Sequence, residues 1–92
     1  RIPAVLLELV GGARIVQVEG DTIWKVLDGA DREYPGIKQR ITAGGKIHEF
    51  VNIYLNNEDV RFLKGLDTRV SDGDFVAILP AVEGGAGAYL PT

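Results

Sequence analysis

A chain of 92 residues, 46% of them hydrophobic, is enough for one small domain with a single core. Ten Lys and Arg against 13 Asp and Glu give a net charge of −3, and the cations are scattered from Arg1 to Arg69, so neither nucleic acid nor an anionic membrane is an expected partner. Cysteine is absent and histidine occurs once, as His48, which excludes disulfides, thiolate chemistry and any metal site built on several imidazoles.

Residues 1–10 are apolar with no deciding period, so a strand, a helical turn or both fit there. Arg14 to Glu19 reads as a short strand. Asp21 or Thr22 can then cap a helix by accepting from an unpaired first-turn N–H. Ile23, Val26, Leu27 and Ala30 follow at the spacing of one apolar helical face. Pro35 and Gly36 stop that helix, and Ile37 and Ile41, one turn apart, predict a short second one. Past Gly44-Gly45, Ile47, Val51, Ile53 and Leu55 share one strand phase and His48, Phe50, Asn52 and Tyr54 the other, which predicts a central strand. Asn56-Asn57 marks a hairpin turn, and residues 59–62 are expected to pair back from it. Leu66 and Val70 are expected to reach the core from an irregular connection. Asp72-Gly73-Asp74 then turns the chain into Phe75–Leu79, an apolar run of the kind a buried strand shows. The order strand, strand, helix, strand, short strand, strand predicts an α+β fold. It matches a ubiquitin-like β-grasp: a mixed sheet of four to five strands, one main helix packed on one face, the first and last strands parallel at the centre.

No catalytic constellation emerges. Ser71 and His48 lack an elbow motif to join them. Asp72 with Asp74, and Glu58 with Asp59, are better explained as solvated turns than as calcium ligands. Gly11-Gly12 and Gly44-Gly45 lack the following Lys-Ser/Thr of a phosphate cradle. The longest apolar stretch, Phe75–Leu79, is far short of the roughly 20 residues that cross a bilayer, and with no signal segment the expected compartment is the cytoplasm. Methionine is absent even at position 1, which suggests a processed or truncated chain.

The run from Gly65 through Leu66-Asp67-Thr68-Arg69-Val70-Ser71-Asp72-Gly73-Asp74-Phe75-Val76-Ala77-Ile78-Leu79-Pro80 to Glu83-Gly84-Gly85 resembles the end of the ubiquitin-like sulfur carriers of MoaD/ThiS type. That family holds the molybdopterin synthase small subunit, the thiamine sulfur carrier and the cysteine-synthase-linked carrier. Phe50 to Phe62 looks most like the cysteine-synthase-linked branch, and Gly20-Asp21-Thr22 before the helix fits too.

The resemblance implies a protein co-substrate and no enzyme activity, metal or bound cofactor of its own. An E1-like adenylating enzyme would spend ATP to activate the carboxylate of Gly85. Sulfur transfer would then leave a thiocarboxylate for an acceptor, either a PLP cysteine synthase or the molybdopterin synthase large subunit. By position, Gly84, Val82 and Pro80 would guide the tail, and Leu79, Phe62 and Phe75 would touch the partner. Glycine suits such a tail because, lacking Cβ, it enters a narrow channel and adapts its backbone. The domain is expected to span 1–83, with an arm over 84–92. Carriers of this type end at the second glycine, so residues 86–92 are expected to be an extension removed by a JAMM-type protease. Relatives also begin with more residues, so most of the first strand is expected to be missing here, which would expose an edge of the last strand or leave Ala4–Val10 to substitute. The rival readings are a ubiquitin-like modifier joined to lysines and an interaction domain that is never conjugated.

Overall fold

The computed structural model describes residues 4–9 and 14–80. Its main sheet has five strands in the order β2-β1-β7-β5-β6. These are β1 (Ala4–Leu9), β2 (Arg14–Glu19), β5 (Val51–Leu55), β6 (Glu58–Asp59) and β7 (Phe75–Pro80). β1 and β7 run parallel, and the other neighbours are antiparallel. Of the two arrangements expected for the N-terminal segment, the second is observed: Ala4–Leu9 is itself a strand, hydrogen-bonded on both sides.

Helix α1 (Ile23–Glu33) crosses one face, and its residues Ile23, Val26, Leu27 and Ala30 are fully buried, as their spacing requires. Against them pack Val5 and Leu7 of β1, Val18 of β2, Ile53 of β5 and Val76 and Ile78 of β7. Thr22 is the cap, its Oγ1 accepting from Lys25 N at 3.2 Å. The helix entry is also held by the 68–70 segment, through Ile23 N to Thr68 O at 3.0 Å and Val70 N to Asp21 O at 3.1 Å. At the exit, Asp31 Oδ1 accepts from Gly36 N and Lys38 N, at 3.0 and 3.1 Å. It thereby satisfies first-turn donors of α2 (Ile37–Ile41), whose own cap residue is Gly36 and has no side chain to do so.

Gly20 shows how closely chain segments meet here. A Cβ on it would lie 2.8 Å from Val26 N and 2.9 Å from Lys25 C, both backbone atoms of α1. Since the obstacle is helix backbone, Gly20→Ala is expected to cost about 2–3 kcal/mol, measured as a lowered urea midpoint with an unchanged slope.

Two expectations are corrected. The strand read over 47–55 is broken. Lys46–Ile47 (β4) pairs instead with Thr42–Ala43 (β3) across Gly44-Gly45, and the long strand begins only at Val51. The break is a local turn in which His48 Nδ1 accepts from Phe50 N at 3.1 Å and His48 O from Val51 N at 3.0 Å. Likewise residues 59–62 do not all pair back. Only Glu58–Asp59 joins β5, and Val60–Phe62 coils into a 3-10 turn capped by Asp59 Oδ1, which accepts from Arg61 N at 2.8 Å. A short polar side chain has outcompeted the ladder for a backbone donor. The Asn56-Asn57 turn is as expected, both residues having positive φ of 51° and 75°.

The aspartates near β7 are turn residues. Asp72 Oδ1 accepts from Ala4 N at 2.8 Å. Asp74 accepts from Ser71 N at 2.7 Å and from Asn56 Nδ2 at 3.1 Å, while Asn56 Oδ1 accepts from Phe75 N at 2.9 Å. Together they fix where β7 begins and hence, over its six residues, where it ends.

Candidate functional site: the end of the last strand

Strand β7 ends at Pro80. Ile78 lies opposite Leu9 on β1 and Ile53 on β5, and Leu79 and Pro80 lie opposite Asn52 and Val51 of β5. Pro80 has no N–H to give, so the ladder loses a donor at its last rung.

Alternation sorts β7 into two faces. Val76 and Ile78 point into the core, at 0% and 2% exposure. Phe75, Ala77 and Leu79 lie on the opposite, solvent face, where Leu79 is 36% exposed. Register places Leu6 and Glu8 of β1 and Asn52 and Tyr54 of β5 on that same face, with Ile15 of β2 beyond Glu8. Leu6 and Ile15 are exposed apolar residues as well. The structure thus brings Leu79 and Phe75 onto one surface, four residues or roughly 14 Å apart along the strand. Phe62 sits elsewhere, on the 3-10 turn after β6, and is 83% exposed. Gly84, Gly85 and Val82 lie outside the described residues, and Pro80 is placed by its backbone pairing with Val51.

The residue that the sequence did not single out is Arg61. Its guanidinium donates to Val51 O at 2.6 Å, to His48 O at 2.9 Å and to Asn52 Oδ1 at 3.0 Å. Val51 and Asn52 are the two residues that face Pro80 and Leu79. One side chain therefore ties the 48–50 turn to β5, the strand that pairs with the end of β7. Charge-assisted hydrogen bonds of this kind are the stronger ones, and two of the acceptors are main-chain carbonyls ten and 13 positions away. No periodicity announces such a contact. The only available signal was a lone cation between Val60 and Phe62 in a segment otherwise expected to be strand. Arg61→Met keeps the stem and removes the donors, so a loss of about 2–3 kcal/mol is expected in chemical denaturation. Faster amide exchange at Val51 relative to Ile53 would mark the lost anchor.

Among the described residues, no group of three or more His, Cys, Asp or Glu is placed to hold a metal ion. His48 lies at the end of the sheet where β7 finishes, and Ser71 precedes the end where β7 starts, so the strand's length separates them. Among the described residues no helix is long and apolar enough to cross a membrane.

The sequence profile of the ThiS family matches residues 1–85. The chain belongs to the ThiS family. Within reach of that family, the sulfur carrier protein CysO of Mycobacterium tuberculosis is 48% identical over 87 residues, covering 91% of this chain and 94% of the relative. Small archaeal modifier protein 3 of Haloferax volcanii is 36% identical over 87 residues, covering 92% and 95%. In structure, a chain from the crystal structure of the Amycolatopsis orientalis BexX/CysO complex superposes with a TM-score of 0.80 at 40% identity, covering 89% of this chain and all of that one. The ubiquitin-like β-grasp read from element order is therefore the fold of this ThiS-family member, with five strands in the main sheet and one main helix.

Proposed function

We propose that the chain is a sulfur-carrier precursor that works through the carboxylate of Gly85 and supplies sulfur for cysteine biosynthesis. The observation that carries this reading is that the family match closes at Gly85, the second residue of Gly84-Gly85. The 48% identity to a sulfur carrier named CysO supports it across nearly the whole chain.

The chemistry follows from a weak electrophile made strong. A JAMM-type protease removes residues 86–92 and frees the Gly85 carboxylate. One carboxylate oxygen attacks the α-phosphorus of ATP on an E1-like enzyme, pyrophosphate leaves, and an acyl-adenylate forms. Hydrosulfide from a donor attacks the acyl carbon and AMP leaves with one of the original carboxylate oxygens, so the chain ends in a thiocarboxylate. That sulfur attacks an electrophilic carbon of a substrate on a PLP cysteine synthase, and water then cleaves the acyl–sulfur bond, releasing the thiol product and restoring the Gly85 carboxylate; the molybdopterin synthase large subunit is the alternative acceptor.

The chain's own part is presentation. Gly85 is the fifth residue after Pro80, and so short a segment spans at most about 17 Å. The partner must therefore come up against the end of β7, where Leu79 is available for contact. Phe62 and Phe75 supply further apolar area, and Gly84 and Val82 precede the reacting group.

A second reading is favoured by one relative, the small archaeal modifier protein: attachment of Gly85 to lysines of other proteins. Proteolytic digests of the native host's proteins separate the two. A thiocarboxylate at Gly85, trapped by a sulfur-selective electrophile, supports the carrier, whereas lysines bearing peptides that end in Gly85 support the modifier.

A further inference from the structure

A groove of about 670 Å³ lies beside the strand end, between the first turn of α1, the β3–β4 hairpin and the segment 61–67. Its floor is apolar: Leu66 is 8% exposed, and Ile47 and Trp24 are half-buried against the core. Lys46, Lys64 and Arg61 stand around it against a single carboxylate, Asp67. That excess of cations runs against a chain whose acidic residues outnumber its basic ones, 13 to ten. Lys38 lies nearby, its ammonium 4.1 Å from the Trp24 ring centroid, but it is matched by Asp28. Among the described residues the Lys46 and Lys64 ammonium groups have no ion-pair partner.

The groove is continuous with the strand end. Arg61 lines it and also donates to Val51 O and Asn52 Oδ1, opposite Pro80 and Leu79. Anything seated against Arg61 is thus one side chain's length from the β5 residues that face the end of β7. The neighbouring Phe62, 83% exposed, offers an aromatic anchor of the kind enriched at interface centres.

We propose that this groove seats an acidic segment of the enzyme that adenylates the tail, one carrying carboxylates for Lys46 and Lys64 around an apolar side chain for the Leu66–Trp24 floor. The inference rests on the carrier reading and adds to it a second contact, distinct from the sheet face that carries Leu79. Exposed charges at the edge of a contact act mainly on encounter and are screened by salt. The groove therefore governs how well the carrier is captured and leaves the chemistry at Gly85 untouched.

The test compares chains ending at Gly85 in ATP–pyrophosphate exchange with the adenylating enzyme of the same organism. Lys46 and Lys64 are exposed, so K46E/K64E is expected to keep the wild-type melting profile. Its KM is expected to rise about tenfold with kcat unchanged, and K46Q/K64Q to fall between it and wild type. Raising the salt concentration should raise the wild-type KM and leave that of K46E/K64E nearly constant. If wild type is activated and the folded K46E/K64E shows the wild-type KM, the groove assignment is overturned while the carrier reading stands. If the wild-type chain ending at Gly85 is not activated at all, the carrier reading itself is overturned.

Discussion

A chain ending at Gly85 is expected to drive ATP–pyrophosphate exchange on its adenylating enzyme, and the chain of 92 residues is expected to be inert in the same assay. In the longer chain the Gly85 carbonyl is an amide bonded to Ala86. It has no carboxylate oxygen to attack phosphorus, and its nitrogen is a poor leaving group, so the contrast is all or none. Activation of both forms at one rate would place the reaction elsewhere on the chain. In the shortened chain, Gly85→Ala is expected to depress exchange strongly without changing the melting temperature, because a Cβ then competes for space in the channel that receives the tail.

The second large effect concerns what holds the tail's root. Ile53 is fully buried on β5 and lies opposite Ile78 of β7. Truncation to alanine removes apolar contacts and leaves a cavity between the helix and the two strands, at a cost of about 3–4 kcal/mol. In a domain of this size that corresponds to a fall of roughly 15–25 °C in melting temperature. Phe62→Ala is the contrasting case. The ring is 83% exposed, so its removal should change stability by less than about 0.5 kcal/mol while weakening capture by the partner. Calorimetry on the two variants, with activation kinetics on Phe62→Ala, checks both halves. A large melting shift for Phe62→Ala would mean that the ring is structural.

The parts of the molecule that could be read from its sequence are those held by repeating apolar contacts. Ile23, Val26, Leu27 and Ala30 announce α1 because a helix buried on one side needs apolar residues every three or four positions, and all four are buried. The Asn56-Asn57 turn was legible because its backbone needs positive φ at both residues, which asparagine tolerates. What escaped was set by single polar contacts. Asp59 capping Arg61 N and His48 accepting from Phe50 N each diverted the chain from a strand that the hydrophobic pattern continued. Residues 4–9 were ambiguous because Leu6, which faces solvent, is as apolar as its buried neighbours Val5 and Leu7.

The same division holds at the site. Leu79 and Phe75 fall on one face by simple alternation once β7 is known. Arg61 was invisible because two of its acceptors are main-chain carbonyls on distant residues, and every residue type offers one of those. Gly84-Gly85 was legible only through resemblance, since two other glycine pairs in the chain, Gly11-Gly12 and Gly44-Gly45, look alike as dipeptides. Gly44-Gly45 is the turn of the β3–β4 hairpin.

The most direct measurement is the intact mass of the protein isolated from its native host under conditions that preserve acyl sulfur. Loss of residues 86–92, with a fraction of molecules heavier by one oxygen-to-sulfur exchange at Gly85, is the predicted result. A population that retains Ala86 to Thr92 throughout, grown under sulfur demand, would contradict the account.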